Sequence, residues 1–152
     1  MIATINQMLQ NKLQSLVSFL CQVNKGFDAI AEEIDCSNLK TAMMAVALES
    51  KQYAKEINDQ LQHCNITVPV EDTDQLWRKI ELNIQEQADN AKGSEIVALC
   101  STCETYFNKF YEAVLAENLP VKNLKAIITF QLYAIECAFM KIRLLNTLRF
   151  SA

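Results

Sequence analysis

The chain has 152 residues, 51% hydrophobic and 21% charged, with only two glycines and two prolines. Average usage would give roughly eighteen Gly and Pro, so turns are few, elements are long, and the strand-and-turn classes give way to an all-α reading. The net charge of −4, with basic residues scattered along the chain, excludes the clustered cationic face that a nucleic-acid partner needs.

A chain of this length can bury about two thirds of its unfolded surface in one core, so a single domain over residues 1–152 is the expectation. The N-terminus, Met1 to Met8, has neither a basic region nor a small-residue cleavage site. It reads as the start of a helix rather than a signal peptide, which implies a cytoplasmic protein with reduced cysteines.

The first predicted helix, 5–34, carries a seam at Leu9, Leu13, Leu16, Leu20, Val23, Phe27, Ile30 and Ile34. Its alternating three and four spacing is that of a bundle helix, with Gln10, Gln14, Gln22 and Lys25 on the polar side. Gly26 costs about 1 kcal/mol here relative to Ala, marking either close approach of a neighbouring backbone or simple tolerance. Asp35 or Ser37 can cap the next helix. That helix, 38–63, turns Leu39, Met43, Val46, Tyr53, Ile57 and Leu61 inward and Lys40, Lys51, Lys55 and Asp59 outward.

Beyond Cys64 the β-branched residues and Pro69 impose an extended segment. Acidic residues from Glu71 to Asp74 then open a shorter helix, 74–89, whose Trp77, Ile80 and Ile84 suit a strut laid across the bundle. Gly93 suits the left-handed conformation that ends it, and Ser94 can cap the third bundle helix. That third helix, 95–117, presents Ile96, Leu99, Cys103, Phe107, Phe110 and Val114, with Tyr106 and Tyr111 flanking. Asn118-Leu119-Pro120 turns the chain directly into the last helix, 121–149.

That last helix is apolar around most of its circumference, from Leu124 through Ile128, Ile135 and Phe139 to Leu148, and is expected to be the most buried. Its apolar run is too short for a membrane span and is broken by Gln131 and Glu136. A carboxylate at Glu136 in such a core needs a partner or a raised pKa. Phe130, Tyr133 and Met140 lie on the outward side, and covering them calls for a homodimer or another protein partner.

Counting from the turns places Asn24 level with Glu49, Glu104 with Glu136, and Cys103 with Cys137. All share one layer if the two hairpin turns lie at opposite ends; turns at one end would separate the pairs by about 5 Å.

The segments Asn24-Lys-Gly-Phe27, Gln52-Tyr-Ala-Lys-Glu56, Cys100-Ser-Thr-Cys-Glu104, Tyr111-Glu-Ala-Val-Leu115, Asn118-Leu-Pro120 and Gln131-Leu-Tyr-Ala-Ile-Glu136 carry a resemblance. In order and spacing the chain resembles small bacterial ferritin-like bundles of uncharacterised function, relatives of the stress-associated YciF-like proteins. The resemblance covers nearly the whole chain and implies a ferritin-like four-helix bundle with a long second-to-third crossover containing an additional short helix. Ferritin-like carboxylate proteins hold two metals with one Glu from each of two helices and Glu-x-x-His from the other two. Here Asn24 stands where the first helix should offer Glu, and the other stretches read Glu49-Ser-Lys-Gln52 and Glu136-Cys-Ala-Phe139. His63 lies about 21 Å along its helix from Glu49 and cannot complete the layer, nor reach a mid-bundle thiol as a catalytic base.

The reading is therefore a non-catalytic bundle that acts by protein or self association, with the stress link the resemblance carries, and with no metal, cofactor or catalytic residue. The alternative is a metal site of another kind at Glu49, Glu104 and Glu136, with Gln52, Cys103 and Cys137 as weaker ligands, where thiolates would favour zinc or copper. Against it, the adjacent Cys103 and Glu104 point about 100° apart.

Overall fold

The computed structural model describes residues 7–68 and 73–151. Its helices, in chain order, are α1 (Gln7–Glu32), α2 (Ser37–Gln62), α3 (Gln75–Gln87), α4 (Ser94–Leu115) and α5 (Lys122–Leu148). No strand occurs among the described residues. The predicted start at Ile5 and the capping pair Glu71 and Asp72 lie outside them.

In cross-section the four long helices form a square: the backbones of α1 and α5 each pack against those of α2 and α4, and the diagonal pairs meet only through long side chains at the centre. Two contacts fix the directions. Lys12, near the start of α1, pairs with Glu117 just past α4 at 2.7 Å. Asn146, near the end of α5, donates to the Gly93 carbonyl just before α4 at 3.0 Å. Helix α4 is thus antiparallel to both α1 and α5 and runs parallel to α2. The α1–α2 and α4–α5 turns therefore lie at opposite ends, and the chain must cross the length of the bundle between α2 and α4. This is the predicted fold class, an all-α four-helix bundle whose long crossover carries a short extra helix.

The crossover helix lies over α1 and α4. Its anchor is Trp77, which occupies the space above Gly26: a Cβ built there would sit 2.0 Å from the indole Cε2. Close approach, not tolerance, explains this glycine, and the neighbour is a side chain. The Trp77 backbone N–H, one of the unpaired donors of the first turn of α3, is accepted by Gln22 Oε1 at 2.9 Å. Gln22, expected on the polar side of the first helix, is instead buried and caps its neighbour.

Three other local expectations are corrected. Cys36, with no side-chain bond, holds the N-cap of α2 in place of Asp35 or Ser37. Gly93 is left-handed, with φ 81°, but it opens α4 rather than closing α3. Ser94 Oγ donates to the Asp89 carbonyl at 2.9 Å, so it ties down the preceding loop instead of capping the helix.

The aromatic core runs across the bundle. Phe19 meets Phe107 edge-on with centroids 4.7 Å apart, Phe107 meets Phe139 at 5.6 Å, and Phe139 meets Phe27 at 5.9 Å. Offset and edge-on contacts of this kind add to the burial of each ring. The strut joins this row through Phe27 and Trp77 at 6.0 Å.

The most enclosed helix is α1, not α5. Leu16, Val17, Ser18, Phe19 and Leu20 are consecutive and all buried, and further along the same helix α3 covers Gly26 and Phe27 through Trp77. Helix α5 sits at the opposite corner with two neighbours, and Phe130, Tyr133, Met140, Leu144 and Leu148 are exposed. No helix among the described residues is long and apolar enough to cross a membrane.

Candidate interaction surface

The core stripe of α5 is Leu124, Ile128, Gln131, Ile135, Phe139, Ile142 and Asn146. Glu136 is one residue past Ile135, about 100° away around the helix, and Cys137 another 100° on. Both are exposed. The expectation of a buried Glu136 is therefore corrected: its rotation about α5 carries it outside the core.

The remaining members of the expected layer also part company. Asn24 Nδ2 donates to the Ala47 carbonyl at 2.8 Å, tying α1 to α2. Glu49 and Gln52 are on exposed positions of α2; partial desolvation pushes the Glu49 carboxyl up against the opposing pull of Lys141. Glu104 is half-buried and makes an ion pair with Arg143 of α5. Cys103 is fully buried on α4, whereas Cys137, its expected level partner, is exposed. Burial lifts the Cys103 thiol well above its usual range and pushes Cys100 up to about 12. A buried thiol of this kind is a poor thiolate ligand and an inert nucleophile.

Among the described residues no group of three or more His, Cys, Asp and Glu is placed to hold a metal ion. The expected alternative cluster of Glu49, Glu104 and Glu136 with Gln52, Cys103 and Cys137 is thus not assembled, because its members occupy different faces of their helices. Phe139, where the Glu-x-x-His pattern would need an imidazole, is fully buried in the aromatic row. All six cysteines are free.

The interior polar cluster is built from other residues. Fully buried Gln131 accepts from the Tyr111 hydroxyl at 2.9 Å. Its amide donates to the Tyr53 carbonyl and to Glu56 Oε1, both at 3.3 Å. One side chain of α5 therefore bridges α4 and α2, and a buried amide is satisfied on both ends. Burial pushes the Tyr53 phenol up to about 12, with Glu49 and Glu56 adding to the shift, and also raises Tyr111. The signal for this hub was legible: Gln131 falls on the core stripe between Ile128 and Ile135, where a glutamine must find partners. In the linear sequence the ionisable Glu136 draws the central role instead, and only its rotation about the helix removes it.

Two surface features remain. A cleft of about 1000 Å³ separates the end of α1 from α3 and the start of α4, with Ile30, Ile84 and Leu99 on its walls and Glu33, Glu81 and Arg149 among its charged residues. The other is the outer stripe of α5. Phe130 and Tyr133 are each 66% exposed and Met140 67% exposed, with Leu144 and Leu148 following. Cys137 lies between them in the same row. A contiguous apolar row of this length on one helix is the kind of patch that marks an interface.

Comparison with protein-family models finds no match, and none is found among curated proteins. Among solved structures, the fold matches "The crystal structure of the E.coli stress protein YciF" with a TM-score of 0.72 and 15% sequence identity over 95% of each chain. The resemblance read from the interior segments is thereby met at the level of fold.

Proposed function

We propose that this chain is a non-catalytic helical bundle that acts by associating with protein through the outer stripe of α5. The observation that supports this is the exposure of Phe130, Tyr133, Met140, Leu144 and Leu148 in one row, on a helix whose opposite stripe already fills the core. A core needs only one such stripe, so the second has a separate use. The buried amide of Gln131 is spent on the Tyr111–Gln131–Glu56 bridge, and the thiols of Cys100 and Cys103 are buried. A role in stress is part of the proposal, supported by the fold likeness to an E. coli stress protein. A cytoplasmic location is a further part, supported by six free cysteines.

The test is a photo-crosslinking residue, p-benzoylphenylalanine, in place of Tyr133 in the full chain, irradiated in the producing cell. Association predicts a discrete protein adduct that is lost when Met140→Glu is added. Irradiation that yields only the uncrosslinked chain counts against the reading.

A further inference from the structure

Resting on the reading that the α5 stripe is an association surface, we propose that its occupant is a second copy of this chain. The two α5 helices pack side by side, parallel and in register, about a twofold axis along their length. The spacing carries the first half of the argument. Phe130, Cys137 and Leu144 recur every seventh residue, and Tyr133, Met140 and Thr147 do the same three residues later. This is the a and d pattern of a two-stranded coil, and all six positions are exposed. It stands apart from the core stripe of the same helix, so α5 carries one seam for its own bundle and one for a partner.

Charge carries the second half and chooses the partner. In this frame Glu136 is a g position and Lys141 is the e position five residues on. In a parallel in-register pair, each g side chain faces the following e side chain of the other strand. Glu136 then meets Lys141 of the second copy, and the twofold axis repeats the contact. Glu136 makes no ion pair or hydrogen bond within its own chain among the described residues. An antiparallel pair would set g against g and e against e. Lys141, whose charge acts on Glu49 without forming an ion pair among the described residues, would then meet only Ile127, Ala134, Leu148 or itself, and the basic g residue, Arg143, is held by Glu104 in an ion pair. The same short stretch thus supplies both the seam and both halves of the ion pair, as a self-complementary surface requires. The middle layer would set Cys137 against its own copy.

The experiment is sedimentation equilibrium of the purified full chain under reductant at tens of micromolar, with circular dichroism to show that each variant remains folded. The wild type should be a dimer and Met140→Glu a monomer. Glu136→Lys and Lys141→Glu should each weaken the dimer by about tenfold, since two pairs become repulsive, and the double exchange should restore it. Orientation is read with Cys137→Ser combined with Leu144→Cys. Mild oxidation by copper-phenanthroline and oxygen, which accept two electrons and two protons from the two thiols, should link position 144 to 144. An antiparallel pair would not bring these two together. A wild type that is monomeric throughout, or a dimer indifferent to Met140→Glu, overturns the inference. So does a dimer that the double exchange fails to restore or that forms no 144–144 link. A monomeric chain whose Tyr133 crosslinker captures a different protein overturns this inference and leaves the association reading standing; a chain that does neither ends both.

Discussion

The indole of Trp77 rests where the side chain of residue 26 would be, so that any Cβ added to Gly26 falls 2.0 Å from the ring. One missing methyl group therefore sets how closely the crossover helix docks on α1. With it docked, Trp77 N–H reaches Gln22 and the indole reaches Phe27.

Gly26→Ala should destabilise the protein despite a better helix propensity. The gain is about 1 kcal/mol and the overpacking cost about 1–3 kcal/mol; with the Cβ 2.0 Å from a ring atom the cost lies at the upper end, and a net loss approaching about 2 kcal/mol is expected. Urea unfolding checks the value. Trp77→Ala should make Gly26→Ala neutral or stabilising, and equal costs of Gly26→Ala in both backgrounds would refute the contact as the cause.

The bridge between Tyr111 and Gln131 should show coupling. Tyr111→Phe leaves the buried Gln131 oxygen without its donor, and Gln131→Leu leaves the Tyr111 hydroxyl without its acceptor. Each single change should cost about 1–3 kcal/mol, and the double change less than the sum. Strict additivity in the cycle would show that the two groups do not act as a unit.

Stability should fall in alkaline solution. Burial raises the Cys100 thiol and the Tyr53 phenol to about 12, and lifts Cys103 and Tyr111 as well. In the unfolded chain these groups ionise near their ordinary values, about 8.5 for Cys and about 10 for Tyr. The unfolded state therefore releases protons first. The contribution is complete below the unfolded values and is lost as pH rises toward the folded ones. The urea midpoint should fall steadily above about pH 8.5. Cys100→Ala should flatten the fall, and a variant with the wild-type slope would locate the cause elsewhere.

Protein purified without added metal should hold no stoichiometric iron and show no ferroxidase activity. Phe139, packed among aromatic neighbours, stands at one position where an imidazole ligand would be needed and exposed Gln52 at the other, and carboxylates without imidazole hold transition metals weakly. Elemental analysis reads the outcome, and two equivalents of iron per chain would reverse it.

The helices, their order and the long crossover were legible in the residues alone, because helical period and the scarcity of Gly and Pro act locally. The seam from Leu9 to Phe27 and the strut anchored by Trp77 came from the same periodicity. Counting residues addresses only the level along each helix, and rotation about the axis decides what a side chain meets. Glu136 and Cys137 are one and two residues past the core position Ile135, and that alone places them outside. Two apolar stripes on α5 read in one dimension as one enclosed helix. Only the tertiary structure decided that α3 covers α1 and α4 rather than α5. The choice rests on a contact between distant residues, the Trp77 ring over Gly26, and it leaves the second stripe of α5 open.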